Sequence, residues 1–174
     1  MAYFSVPLLL VLFVLVSGET PTLDDLKMAL NTTEKFWMLG RSYKLETSGK
    51  EHLCVYAAKN SLKDLEYDFN QTYKVDQQWV TLHLYGTLGE GSEELPVLQV
   101  RQEKELRTGK PYTLVNWNRE KHCGILKVDV NGKNQYELYA WDSSVKGSRD
   151  ACKSEFQQIC KECILYEVYS NVCV

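Results

Sequence analysis

Hydrophobic and polar residues alternate with a period of two through the middle of this chain. Leu65, Tyr67, Phe69, Gln71, Tyr73 and Val75 interleave with Glu66, Asp68, Asn70, Thr72 and Lys74. Successive side chains of a strand point to opposite faces, so this segment predicts a half-buried strand with Tyr67, Phe69 and Tyr73 turned inward. Shorter strand-like segments flank it: Phe36 to Glu46, His52 to Lys59, Trp79 to Tyr85, Pro96 to Glu103, Tyr112 to Asn118, Ile125 to Val130 and Gln135 to Trp141. Gly86, Gly89, Gly91 and Gly109 punctuate them, and Asn131-Gly132 between the last two signals a type I′ hairpin. The prediction is an all-β fold, an eight-stranded antiparallel up-and-down barrel with room for one small ligand; a two-sheet sandwich is the competing architecture.

The periodicity changes at both ends. Thr22 to Leu30 predicts a short helix, with Thr22 as cap, Asp24 and Asp25 in the first turn, and Leu23, Leu26 and Leu30 on one face. Ser148 to Ile159 has helical spacing, with Ala151, Glu155 and Ile159 on one side, and is expected to pack on the barrel wall. Ile164 to Val174 is short and apolar, as a segment tied back to the barrel would be. Pro7 to Val16 is unbroken apolar sequence followed by Ser17, Gly18 and Glu19, the layout of a secretory signal peptide. As a helix this run is about 15 Å long, too short for a hydrocarbon core of about 30 Å. Residues 1–18 therefore read as a leader and 19–174 as one extracellular domain, expected to be monomeric.

Composition narrows the function. A net charge of −3 gives no basic field for nucleic acid. There is no Gly-rich phosphate loop, zinc-spaced Cys/His set or nucleophile elbow, so neither cofactor nor metal is expected. His52, His83 and His122 fall on three separate segments with no motif around them, which disfavours an enzyme; His83 within hydrogen-bond reach of a cysteine or carboxylate would strengthen that reading. Eleven Tyr and four Trp suit a barrel interior or an aromatic pocket. The six cysteines, Cys54, Cys123, Cys152, Cys160, Cys163 and Cys173, read as a disulfide framework whose connectivity spacing alone does not choose. Asn31-Thr32-Thr33 and Asn70-Gln71-Thr72 are glycosylation sequons, with Asn70 on the polar face of its strand.

Helix, eight-stranded meander and late helix is the lipocalin plan. Tyr136-Glu137-Leu138-Tyr139 after Cys123, followed by Cys152 and Cys173, together with Phe36-Trp37-Met38-Leu39 and Tyr43, resembles the salivary lipocalins of ticks, the histamine-binding protein family, over the whole mature chain. The resemblance implies the pairings Cys54–Cys173 and Cys123–Cys152. Cys160 and Cys163 are left over; a structural Cys160–Cys163 bridge is expected, with free or intermolecular thiols or a redox dithiol as alternatives.

The resemblance also implies a small ligand inside the barrel. An amine cation there must meet a carboxylate, because an unpaired buried charge is costly, and aromatic faces add cation–π attraction. Glu46 and Glu137 match acidic family positions. Other acids are replaced: Gly124 follows Cys123 where amine binders carry Asp, Leu114 and Gln77 stand at further acidic positions, and the Asp-Ala-Trp of the family's N-terminal helix reads Leu23-Asp24-Asp25. Few acids and many apolar side chains suit a lipid better than a dication. The expected lining is Tyr43, Glu46, Tyr67, Phe69 and Tyr73, with Leu82, Leu84, Leu98, Val100, Tyr112, Leu114, Glu137 and Tyr139. The expected ligand is a sterol or fatty-acid-derived host mediator, as in the Japanin-like group of the family. The alternatives are scavenging of histamine or serotonin, and immune modulation through surface contacts with host cells or proteins. The competing readings are a core packed solid by Tyr67, Phe69 and Tyr73, an outward-facing Glu137, and a merely solvated hairpin tip at Glu90, Glu93 and Glu94.

Overall fold

The computed structural model describes residues 20–174; the leader predicted over 1–18 lies outside them. Helix α1 (Leu23–Leu30) starts where the sequence places it. The Thr22 hydroxyl accepts from the Asp25 amide at 3.3 Å, and the Asp25 carboxylate accepts from the Thr22 amide at 2.9 Å, a reciprocal cap. Arg119 donates to the same carboxylate at 2.6 Å.

The wall consists of β1 (Phe36–Arg41), β3 (Lys50–Lys63), β4 (Glu66–Val75), β5 (Gln78–Glu90), β6 (Pro96–Arg101), β7 (Lys110–Asn118), β8 (Cys123–Val130) and β9 (Lys133–Trp141). Each pairs antiparallel with the next, and β1 pairs with both β9 and β3, closing the ring. The β8–β9 turn has φ of 56° at Asn131 and 76° at Gly132, the left-handed pair that a type I′ hairpin requires.

One end of the barrel is plugged by α1. Leu26, Ala29 and Leu30 pack into an apolar cluster with Phe36, Phe69, Leu84, Leu98 and Leu114. Trp141 Nε1 donates to the Ala29 carbonyl at 2.9 Å, fixing the helix to β9.

The structure departs from the sequence reading in three places. First, the strand expected over Phe36 to Glu46 stops at Arg41. The chain leaves the wall, and β2 (Glu46–Thr47) forms a two-residue hairpin with Lys50 and Glu51 of β3. Ser48 and Gly49, with φ of 52° and 73°, supply its left-handed turn. Second, a short helix α2 (Asp142–Val145) follows β9, and the buried face of α3 (Arg149–Ile159) is Cys152 and Phe156, not the side carrying Ala151, Glu155 and Ile159. Third, β3 covers only one half of the free edge of β1. Phe36 and Trp37 pair with β3, whereas Gly40 and Arg41 pair with β10 (Tyr166–Glu167). The C-terminal segment thus wedges between β1 and β3, with Cys54 N donating to Val168 O at 2.8 Å and Val168 N to Leu39 O at 3.0 Å. Gly40 permits this: a Cβ there would lie 2.7 Å from Leu165 Cδ1 and 2.9 Å from the Tyr166 carbonyl oxygen.

Disulfides join Cys54 to Cys173, Cys123 to Cys152 and Cys160 to Cys163. The first holds the C-terminal wedge in the wall and the second holds α3 on β8. On the chain-entropy account, loops of this length contribute roughly 3–5 kcal/mol each. Among the described residues, no helix is long and apolar enough to cross a membrane.

Candidate ligand-binding site

The barrel encloses a cavity of about 170 Å³. The α1 end of its lining is apolar and aromatic: Leu30, Phe36, Tyr67, Phe69, Leu98 and Leu126. Tyr67 and Phe69 stack, their ring centroids 4.6 Å apart. The opposite end is polar, because register brings Arg41 of β1 against Glu137 of β9, with Tyr43, Lys110, Tyr112 and Tyr139 around them.

Glu137 is 2% exposed. The Tyr43 hydroxyl donates to its Oε1, and the Tyr139 hydroxyl donates to its Oε2 at 2.9 Å. Burial pushes the carboxyl above its usual range, against the lowering effect of the two tyrosine hydrogen bonds and of the Arg41 and Lys110 charges. Burial likewise raises Tyr43 and Tyr112, and the nearby Glu137 charge adds to it.

Arg41 is 3% exposed. Its Nη2 donates to the His52 carbonyl at 2.9 Å and the Leu45 carbonyl at 3.3 Å, pinning the chain on both sides of the β2 hairpin. Its guanidinium lies 5.3 Å from the centre of the Tyr43 ring, and its buried Nε has no hydrogen-bond partner. His52 stacks on Tyr73 at 4.4 Å and shares a 2.7 Å hydrogen bond with Thr47. Its pKa is lowered by burial and by Arg41.

Nine of the expected lining residues border the cavity: Tyr43, Tyr67, Phe69 and Tyr73, then Leu98, Val100, Tyr112, Glu137 and Tyr139. Four do not. Glu46 is exposed, because it belongs to the β2 hairpin and not to the wall. Leu82, paired with Gln71 across β4 and β5, is 37% exposed. Leu84 and Leu114 are buried in the cluster beneath α1, where they meet other side chains and not open space. Arg41, His52 and Lys110 line the cavity without having been singled out for it. A bulge between Met38 and Gly40 shifts the parity of β1, so alternation alone does not turn Arg41 inward. Gln71 did carry a signal, since it shares the inward face of its strand.

Gly124 has a physical reason for carrying no acid. A Cβ there would lie 2.7 Å from the Asn116 carbonyl oxygen and 2.8 Å from the Trp117 ring. Glu137 is therefore the one carboxylate among the described residues lining the cavity. His83 does reach a carboxylate, Asp68, at 2.7 Å, but the pair lies exposed on the outer wall and away from the cavity. Glu93 of the acidic hairpin tip bonds Lys127 at 3.0 Å. Of the sequon asparagines, Asn31 caps the C-terminus of α1 and Asn70 stands on β4 with its amide bonded to Asn60. Among the described residues no set of His, Cys, Asp and Glu is grouped to hold a metal.

Two solved structures share the fold. AM182, in a serotonin complex, superposes with a TM-score of 0.65 at 13% identity over 90% of this chain and 95% of that one. Japanin from Rhipicephalus appendiculatus, bound to cholesterol, gives 0.58 at 15% identity over 82% and 97%. Among curated proteins none matches the sequence. Residues 19–174 match the family described as tick histamine binding protein. On this match over the whole barrel, the chain belongs to the tick histamine-binding protein family.

Proposed function

We propose that the protein is secreted in tick saliva and sequesters a small, largely apolar host mediator in its barrel, fatty-acid-derived in kind, so dampening host inflammatory or immune responses. The charge balance at the polar end carries this reading. One acid, already hydrogen-bonded to two tyrosines, stands beside two cations, Arg41 and Lys110, and the buried Arg41 Nε lacks a partner. A ligand carboxylate would offset the excess positive charge at this end through charge-assisted hydrogen bonds. The α1 end suits an acyl chain.

Cavity size supports a flexible ligand over a rigid one. An apolar cavity of about 150 Å³ takes up a single benzene, so about 170 Å³ leaves a four-ring sterol short of space unless the wall moves. An acyl chain can thread between rings that shift by rotation.

Native mass spectrometry of the protein purified from a eukaryotic secretory host, with titration by a dansyl-labelled fatty acid, tests the proposal. A bound fatty acid and submicromolar displacement of the probe by arachidonic acid are expected. A bound sterol, or submicromolar serotonin binding without fatty-acid binding, would overturn it.

A further inference from the structure

The geometry points to Tyr43 and Tyr139 as specificity residues that close this barrel to amines. This rests on the proposed acidic-lipid reading and adds the reason a family barrel that retains an acid would refuse a cation.

An ammonium group entering a barrel needs a carboxylate oxygen it can touch. Here the single carboxylate that lines the cavity among the described residues accepts a tyrosine hydroxyl on each oxygen. Tyr43 reaches Oε1 from the loop after β1, and Tyr139 reaches Oε2 from two residues along β9. With Glu137 only 2% exposed, a cation cannot approach it unless one of these rings moves aside. The two tyrosines come from different elements, so no single shift uncovers both oxygens. Arg41 and Lys110 line the same cavity, both within electrostatic reach of Glu137, and repel an incoming cation. The cover also serves the fold, because the hydroxyls satisfy an acid that burial would otherwise leave stranded.

Removing the hydroxyls should therefore convert an amine-refusing barrel into an amine-accepting one. The experiment is isothermal titration with serotonin of the parent protein, the Tyr43→Phe/Tyr139→Phe double variant, and Tyr43→Ala as a second route to an open Oε1. The fold of each protein is checked by circular dichroism and thermal melting. The expected result is a gain in serotonin affinity of tenfold or more in either variant, abolished by adding Glu137→Gln. A loss of structural integrity alone would not produce such a gain. Variants that keep the parent's fold and show no gain overturn the role of the tyrosines and leave the acidic-lipid reading standing. A gain that survives Glu137→Gln also overturns it. Submicromolar serotonin binding by the parent overturns the role of the tyrosines, and if fatty-acid binding is absent as well it overturns both.

Discussion

The two ends of the barrel are built on opposite rules. At the α1 end, Leu26, Ala29 and Leu30 meet Phe36, Leu84 and Leu114 in a cluster with almost no exposed surface. At the other end, a charged arginine and a carboxylate are buried within one cavity, and an arginine nitrogen has no partner. The first end gains stability from every contact. The second carries groups whose desolvation is costly, as binding sites do. Charge recognition is thus confined to one end, while the cluster beneath α1 carries most of the stability, and residues such as Leu26 that do not line the cavity let the two be perturbed separately.

The sharpest way to break the apolar end is Leu26→Ala. Large-to-small changes at buried leucines cost about 2–5 kcal/mol, and urea unfolding should show a loss in that range with fatty-acid affinity little changed. An equal loss of affinity without loss of stability would merge the two ends. At the polar end, Arg41→Met should weaken a dansyl fatty acid by tenfold or more, about 1.4 kcal/mol in binding, while sterol binding, if any, stays unchanged. Unaltered fatty-acid affinity would remove Arg41 from the site.

The smallest effect concerns pH. Burial raises Glu137 above its ordinary value of 4.5, so the folded protein holds this proton to higher pH than the unfolded chain does. Stability from this group is present at low pH and falls as pH climbs from 4.5 toward the raised value. Glu137→Gln removes that slope. Unfolding free energies measured from about pH 4 to about pH 8 should show the variant gaining on its parent as pH rises; a constant difference would mean that Glu137 titrates alike in both states.

The wall was legible in the sequence where local rules decide. Leu65 to Val75 alternates because one face meets the core and the other water, and Asn131-Gly132 can hardly form anything but a tight turn. The polar end was half legible. Glu137 stood out through the Tyr-Glu-Leu-Tyr motif, but Arg41 follows a bulge that resets the inward parity of β1. Leu84 and Leu114 have the right parity for a lining, yet only the docking of α1 decides whether an inward side chain meets space or another residue. β10 was hidden because two paired residues carry no periodicity, and its partner strand lies far away in sequence.

That last strand sets an order on biogenesis. β3 pairs with Phe36 and Trp37 of β1, but the Gly40–Arg41 half of that seam stays open until residues 166–167 have been synthesised, and the Cys54–Cys173 staple forms later still. A nascent chain must therefore carry an unsealed stretch of edge through most of its synthesis. Translation stalled before residue 166 would leave a sticky half-product for chaperones, in place of a shorter working barrel.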